Sequence, residues 1–270
     1  MIIFPGSKVN LGLRITEKRS DGYHNLQTVF YPLAFSDVLE AIPSGSTTLK
    51  LSGIAIPGKK EDNLVLKVVE RLSRHYKIPG FQIHLHKVIP SGTGLGGGSA
   101  DAAAMIKGVN QLAGLHLTQE QMIAIASELG ADCAFFIKNR PVYATEKGSR
   151  FESINLSLQG YKIVVVIPDV SVNTSDAYRQ ITPQFPEESV RETVQKPIFE
   201  WADALINDFE QIAALPPEIL HIKKRLYKAG ASYAAMSGSG SAVFGLFTED
   251  AHVDLGNLSA YKVRVEDALY

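Results

Sequence analysis

"PSGTGLGGGSADAAA", residues 90–104, places five glycines within seven positions, directly before a run of strong helix formers. Glycine reaches positive φ without Cβ strain and lets a ligand approach the backbone, although it costs about 0.5–1 kcal/mol in regular structure. The alanines predict a helix from about Ser99 to near Gly114. Because the first turn of a helix has unpaired N–H groups and a charge of roughly +0.5, anions bind there. The stretch therefore predicts a phosphate-binding loop.

Three other interpretations of this loop compete with that one. Gly92, Gly94 and Gly97 fit the G-x-G-x-x-G pattern of dinucleotide folds, but the nearest later acid, Glu120, falls in the first turn of another predicted helix. A P-loop requires a lysine before its serine, whereas Ser99 directly follows glycine. A turn that only packs tightly would not need so many glycines. The dinucleotide fold and the structural turn remain open, and the P-loop is excluded.

Composition limits the kinds of partner. The chain has 270 residues, is 45% hydrophobic, and carries a net charge of -1 with a pI near 6.7. Since no dense basic run is present, nucleic acid and membranes are not expected as partners, whereas binding of small anions, which needs only local positive charge, is left open. The single cysteine, Cys133, cannot form an intramolecular disulfide, which favours the cytoplasm. No segment is typical of a signal peptide or a transmembrane helix, and the oligomeric state is left open.

Hydrophobic patterning predicts a mixture of helices and strands. Residues 81–89 alternate as a half-buried strand does, which is more typical of antiparallel than of parallel sheets. Apolar spacing after Asp62 predicts a helix up to Pro79, and a capping box formed by Thr118 and Gln121 predicts another that ends at Gly130. The fold class is therefore α+β. We place a domain boundary near 155, giving domains 1–155 and 156–270.

The second half shows the same mixture. It is predicted to contain a strand, a polar connection, a helix and a further strand, at 162–168, 182–198, 217–229 and 242–247.

Residues 90–103 resemble the phosphate loop of the GHMP kinases, a family named for galactokinase, homoserine kinase, mevalonate kinase and phosphomevalonate kinase. Three further segments resemble other motifs of that family in the same order: "PGSKVNLGLRI" (5–15), "LGADCAFFI" (129–137) and "MSGSGSAVFGLF" (236–247). "RSDGYHNLQTVF" (19–30) is similar to the family member whose acceptor carries a cytidine diphosphate group. The resemblance covers nearly the whole chain.

This resemblance implies a two-domain GHMP kinase fold, with an N-terminal domain like ribosomal protein S5 domain 2 and a ferredoxin-like C-terminal domain. It also implies an ATP-dependent small-molecule kinase that uses Mg²⁺. Asp132 would be the base that accepts the hydroxyl proton, and Lys8 the cation that orients the hydroxyl or the γ-phosphate.

The remaining site residues implied by the resemblance bind the two substrates. The expected nucleotide contacts are Asn63, Lys87 and the loop residues Pro90, Ser91, Gly92, Thr93, Gly94, Leu95, Gly96, Gly97, Gly98, Ser99 and Ala100. The Ser99 hydroxyl is also the expected Mg²⁺ contact, whereas Asp101 is expected to be structural. The expected acceptor contacts are Asn10, Tyr23, His24, Thr174 and Tyr178, of which the aromatic rings would hold a cytosine.

Overall fold

A computed structural model describes residues 1–270, which divide into two units of discontinuous sequence. Unit 1 comprises Met1–Ser7, Phe35–Ser91 and Gly96–Arg140. Unit 2 comprises Lys8–Ala34, Gly92–Leu95 and Pro141–Tyr270. The proposed boundary at 155 remains a prediction, and it falls in the connection between two strands of unit 2.

Strands and helices are numbered along the chain. The strands are β1 (Ile2–Ile3), β2 (Ser7–Lys18), β3 (His24–Leu33), β4 (Val38–Ser44), β5 (Thr48–Gly53), β6 (Gly80–Lys87), β7 (Val142–Thr145), β8 (Arg150–Ser153), β9 (Tyr161–Ile167), β10 (Tyr233–Met236), β11 (Val243–Thr248) and β12 (Lys262–Asp267). The helices are α1 (Leu64–Ser73), α2 (Gly97–Leu112), α3 (Gln119–Leu129), α4 (Ala131–Lys138), α5 (Thr174–Gln180), α6 (Val190–Thr193), α7 (Trp201–Ala204) and α8 (Pro217–Lys228). No helix is both long enough and apolar enough to span a membrane.

Unit 1 contains a four-stranded sheet in the order β1-β4-β6-β5, with four helices. β6 pairs antiparallel with β4 but parallel with β5, so the expectation of an antiparallel environment is only half right. Alternation reports which faces of a strand are buried, and β6 buries Phe81, Ile83 and Leu85 as predicted. It does not report the direction of the neighbouring strand.

The helices of unit 1 confirm the sequence signals. Asn63 caps α1 by accepting a hydrogen bond from the Val65 N–H, and the Thr118–Gln121 capping box opens α3. α2 is buried on almost every side and packs against α1, α3, α4 and β4, because its alanines and glycines allow close approach. This packing fixes the helix that follows the glycine loop.

Unit 2 contains two four-stranded sheets, ordered β2-β3-β7-β8 and β10-β11-β9-β12. α8 lays Ile219, Ile222 and Leu226, spaced three and four residues apart, against the second sheet. The predicted strands at 162–168 and 242–247 are the central pair, β9 and β11. The polar segment 182–198 is a connection that contains the short helix α6 and ends where a 3-10 turn begins at Ile198.

Candidate functional site

The middle of the glycine loop, residues 92–95, packs within unit 2 against the second glycine-rich stretch, 236–242. The Ser237 hydroxyl donates to the Gly94 carbonyl at 2.9 Å, and the Ala242 N–H donates to the Thr93 carbonyl at 3.0 Å. Gly94 has φ +79°, and a Cβ there would lie 1.9 Å from the Ser237 carbonyl oxygen. Only glycine fits this close backbone approach, so the two glycine-rich stretches form one assembly.

The end of the loop starts α2 in unit 1. Gly96 is the N-cap residue with φ +73°, and the backbone N–H groups at the start of α2 form its N-terminal dipole. The Ser99 side chain hydrogen-bonds the Cys133 thiol of α4. Burial raises the pKa of that thiol to about 11, although the Ser99 bond acts in the opposite direction. The predicted Mg²⁺ contact therefore lies beside the first turn of α4.

A cavity of about 250 Å³ opens in unit 1 beside the α2 start. Its lining combines apolar side chains with basic and polar ones: Leu51, Ile56, Pro57, Gly58, Lys59, Lys60, Asp62, Asn63, Leu64, Lys87, Ser91, Gly98 and Asp101. Four predicted nucleotide contacts, Asn63, Lys87, Ser91 and Gly98, thus meet in one cavity. A mostly apolar cavity with a few convergent polar groups is typical of a small-molecule site.

Two of the lining residues, Lys87 and Asp101, form a buried charged cluster with Asp37, which does not itself line the cavity; we call these three residues the ionic floor. The Lys87 ammonium donates to Oδ2 of Asp37 and, at 2.7 Å, to Oδ2 of Asp101. Lys87 is only 3% exposed. Its charge is therefore compensated within unit 1, and the nucleotide contact expected from the sequence is held in place by two carboxylates.

Asp101 is the least well compensated carboxylate of the ionic floor. Its Oδ1 atom is buried and receives no hydrogen bond from any donor. Burial raises the pKa of Asp101 to about 7, the Lys87 ammonium opposes this rise, and the neighbouring Asp37 carboxylate adds to it. Asp101 lies inside α2 and lines the cavity, and the structural role expected for it remains a prediction.

Asp132, the predicted base, lies in the first turn of α4, two residues after the Gly130 N-cap. A carboxylate is favoured there by the helix dipole. The neighbouring Cys133 contacts Ser99, so unit 1 brings the Asp132 turn next to the α2 start.

Lys8, the other predicted catalytic residue, lies on β2 in unit 2 and is 3% exposed. Its ammonium donates to the Asn10 side-chain oxygen at 2.6 Å and lies 5.1 Å from the centre of the Phe30 ring. Asn10 donates in turn to the Thr28 hydroxyl at 2.9 Å. A Cβ on Gly238 would lie 3.4 Å from the Asn10 oxygen, so this network borders the second glycine-rich stretch.

Two of the predicted acceptor contacts form an aromatic cluster in unit 2. The His24 and Tyr178 rings stack with centroids 5.0 Å apart and an interplanar angle of 18°, and Phe209 meets the edge of Tyr178. Burial lowers the pKa of His24, and Lys18 adds to this effect. A base inserted between two rings needs roughly 7 Å, twice a contact distance of about 3.5 Å. A base therefore cannot enter between His24 and Tyr178 unless the rings separate.

Tyr23 stands apart from this stack and is 62% exposed. The Lys147 ammonium, from the β7–β8 turn, lies 4.7 Å from the centre of its ring. Lys147 and the Tyr23 N–H both contact Asp21, at 3.9 and 3.1 Å. One face of the Tyr23 ring is thus covered by a cation, and sequence reasoning gave no indication of Lys147.

Thr174 connects the start of α5 to the second glycine-rich stretch, because its hydroxyl lies 2.8 Å from that of Ser239. Asn207 also holds this stretch, because its side-chain amide donates to the carbonyls of Met236 and Gly238 at 2.8 Å each. The structure therefore places Asn10 and Thr174 against the same glycine-rich stretch, residues 236–242. His24 and Tyr178 lie together in the aromatic cluster. Asn207 was missed because a lone buried asparagine leaves no pattern in the sequence.

Comparison with known proteins is consistent with this assembly. The family described as GHMP kinases N terminal domain matches residues 63–140, and that described as GHMP kinases C terminal matches residues 191–255. A Parabacteroides distasonis protein named 4-diphosphocytidyl-2-C-methyl-D-erythritol kinase is 50% identical over 253 residues, covering 93% of each chain. The chain belongs to the GHMP kinase family.

Further relatives of this GHMP kinase agree. A Bacteroides fragilis protein of the same name is 51% identical over 256 residues and 93% of each chain. A crystal structure described as 4-(cytidine 5'-diphospho)-2C-methyl-D-erythritol kinase superposes with a TM-score of 0.81 at 30% identity, covering 98% of both chains. The α+β GHMP kinase fold expected from the sequence is confirmed.

Proposed function

We propose that this GHMP kinase transfers the γ-phosphoryl group of ATP to the 2-hydroxyl of 4-diphosphocytidyl-2-C-methyl-D-erythritol. The products are the 2-phosphate and ADP, in the non-mevalonate pathway to isoprenoid precursors. One observation carries this proposal: the chain is half identical, over nearly its whole length, to proteins named for that substrate. The glycine-loop assembly, the cavity beside the α2 start and the aromatic cluster are the parts that such a reaction requires.

The nucleotide is proposed to occupy the cavity of unit 1. The apolar side chains Leu51, Ile56 and Leu64 suit a base, and Lys59 and Lys60 add positive charge for an anion. The free N–H groups of the α2 start and the backbone of the glycine loop would bind the phosphates. Each of these contributions is electrostatic or steric, as phosphoryl transfer requires.

Mg²⁺ is proposed as the accompanying ion. It is usually held by substrate phosphates together with one or two protein oxygens, and the Ser99 hydroxyl at the α2 start suits that limited role. When bound, the ion would neutralise charge on the phosphates.

For the transfer itself, we propose that Asp132 accepts the proton of the acceptor 2-hydroxyl while that oxygen attacks the γ-phosphorus. The bond to the bridging oxygen breaks, and ADP leaves with the electron pair. Lys8 would orient the hydroxyl or the γ-phosphate, and its own position is held by Asn10. General-base assistance of this kind contributes roughly 10²–10⁴-fold to the rate.

The acceptor is proposed to bind in unit 2. A cytosine has a flat apolar face and a polar edge, so it suits the aromatic rings of Tyr23 and Tyr178 and the imidazole of His24. Asn10 and Thr174 would hydrogen-bond the polar part of the molecule. A cytoplasmic location is also proposed, on the basis of the single cysteine.

An ADP-release assay across an acceptor panel tests this function. The panel contains the cytidyl-erythritol compound, mevalonate, homoserine and galactose, and mass spectrometry identifies the phosphorylated product. We expect turnover with the first acceptor alone. Turnover with another member instead would reassign the enzyme within the family, and ATP binding without turnover of any acceptor would indicate a nucleotide-binding module without chemistry.

A further inference from the structure

Asp37 is a fully buried residue of unit 1 that the sequence did not single out. It lies in the segment between β3 and β4 and is 0% exposed. Its Oδ1 atom accepts hydrogen bonds from the backbone N–H groups of Val88 and Ile89, at 2.5 and 2.9 Å. These two residues lead directly from β6 into Pro90, so this carboxylate fixes the backbone at the entry of the glycine loop.

The second oxygen of the same carboxylate holds the cavity lysine. Oδ2 of Asp37 accepts from the Lys87 ammonium, which also binds Asp101 from the second turn of α2. Hydrogen bonds to ionised groups are roughly twice as strong as neutral ones. Lys87 is thus held between the segment before β4 and α2, where it lines the cavity.

The exit of the glycine loop packs against the same residue. A Cβ built on Gly97, the first residue of α2, would lie 2.9 Å from the Ile89 side chain and 3.4 Å from Oδ2 of Asp37. The helix start is therefore seated on Asp37 and on Ile89, whose N–H binds Asp37. One carboxylate therefore binds the loop entry and the cavity lysine and lies beside the loop exit.

We propose that Asp37 is a positioning residue for nucleotide binding, which fixes both ends of the glycine loop and the Lys87 side chain without touching the nucleotide. The inference rests on the proposed function in one respect, namely that the cavity takes ATP. Backbone N–H groups bind phosphate only when they are aimed in advance, because disorder in the loop must otherwise be removed on binding. Asp37 supplies that preorganisation through bonds that run entirely within unit 1.

Two substitutions separate its contributions. Asp37→Asn keeps an oxygen for the Val88 and Ile89 N–H groups and loses the bond to Lys87, which Asp101 still holds. Asp37→Ala removes all three bonds and leaves two buried N–H groups unpaired, a more severe defect. We expect the Kd of a non-hydrolysable ATP analogue, measured by calorimetry, to rise roughly threefold to tenfold in Asp37→Asn and at least about thirtyfold in Asp37→Ala.

Among the kinetic parameters of the Asp37 variants, only the KM for ATP should change. The KM for ATP should rise in the same order as the Kd, whereas kcat at saturating ATP and the KM for the acceptor should stay within about twofold of the wild-type values. Asp37→Asn serves as the conservative rescue of Asp37→Ala. It also keeps the test decisive if the alanine variant fails to fold.

Asn110 provides a matched control at the far end of α2. Its side-chain oxygen accepts from the Leu117 N–H at 2.8 Å and so holds the α2–α3 connection in the way that Asp37 holds the loop entry. Asn110→Ala should lower the melting temperature and leave the Kd of the ATP analogue unchanged.

The outcomes are distinct. Asp37 variants that melt earlier but bind the analogue with wild-type Kd would reduce Asp37 to a structural residue and overturn the proposal. Wild-type enzyme that binds the analogue but phosphorylates no acceptor would overturn the proposed function. The comparison of Kd values between the wild type and the Asp37 variants would still test the positioning role of Asp37. Wild-type enzyme that does not bind the analogue would overturn both.

Discussion

The ionic floor of unit 1 and the aromatic cluster of unit 2 represent two different ways of holding a recognition surface. The floor consists of three ionisable side chains, buried and bonded to one another. The cluster consists of neutral rings, His24, Tyr178 and Phe209, which touch only through their faces and edges. Buried charges lose much when one partner is removed, whereas stacked rings lose little. The first arrangement therefore fixes geometry, and the second can adapt.

The largest effect is expected from a substitution that removes the proposed general base and leaves the ionic floor and the aromatic cluster intact. Asp132→Asn should lower kcat by roughly 10²–10⁴-fold, because the amide cannot accept the hydroxyl proton. The Kd of an ATP analogue should be unchanged, and the melting temperature should fall only slightly, because a first-turn carboxylate gains about 0.3–1 kcal/mol from the helix dipole. Rapid-quench measurement of the phosphorylated product checks the rate. A variant with wild-type kcat would remove Asp132 from the mechanism.

Lys87→Met breaks the floor directly. The substitution leaves Asp37 and Asp101 buried without their cation, and loss of one partner from a buried ion pair costs about 3–5 kcal/mol. Burial already raises the pKa of Asp101 to about 7, and loss of the cation should raise it further, so denaturant titrations should show the deficit shrinking as the pH falls below 7. A deficit that does not depend on pH would mean that Lys87 contributes through packing alone.

Asp101→Asn tests the direction in which the raised pKa of Asp101 makes the stability of the protein depend on pH. The pKa of Asp101 is raised to about 7 in the folded protein, above its ordinary value of 3.8, chiefly by burial. The folded state thus binds this proton more tightly than the unfolded state, and its contribution to stability is lost as the pH rises towards 7. The wild type should lose stability between about pH 4 and pH 7, and Asp101→Asn should lose less. Parallel stability curves for the two proteins would contradict the assignment.

Tyr178→Leu perturbs the aromatic cluster. Ring pairs contribute about 0.5–1.5 kcal/mol beyond their buried area, so the acceptor KM should rise roughly twofold to tenfold. The ATP KM should not change, which is the control within the same experiment. If the ATP KM rose instead, the cluster would not be the acceptor surface.

Lys147→Met should have the smallest effect. A partly exposed cation on a ring contributes about 0.5–1 kcal/mol, so the acceptor KM should rise roughly twofold to fivefold, and Lys147→Arg should restore it. Equal acceptor KM values for all three proteins would mean that Lys147 does not support Tyr23.

The two regions also differ in how far the sequence revealed them. The glycine loop and the α3 capping box were visible because their signals are local, within a few residues, whereas His24 and Tyr178 of the aromatic cluster were indicated by the family resemblance. The ionic floor was not visible, since the Lys87 partners lie 50 residues before it and 14 after it. Asp37 carries no pattern of its own, because its role depends on backbone N–H groups that only the fold brings near it.

Strand partners and chain units escaped prediction for a related reason. The alternation of β6 gave its buried face correctly but could not distinguish its parallel neighbour from its antiparallel one. Likewise, residues 92–95 belong to unit 2 while the residues on either side belong to unit 1. A single cut along the chain cannot represent such an arrangement.

The buried thiol of Cys133 has a practical consequence. Only the thiolate form of cysteine is a strong nucleophile. The Cys133 thiol is buried, and its raised pKa keeps it protonated near neutral pH. Maleimide and iodoacetamide should therefore leave the native enzyme unlabelled. A cysteine introduced on either unit would be the single reactive thiol of the molecule, so fluorophores or spin labels could be attached site-specifically without replacing Cys133.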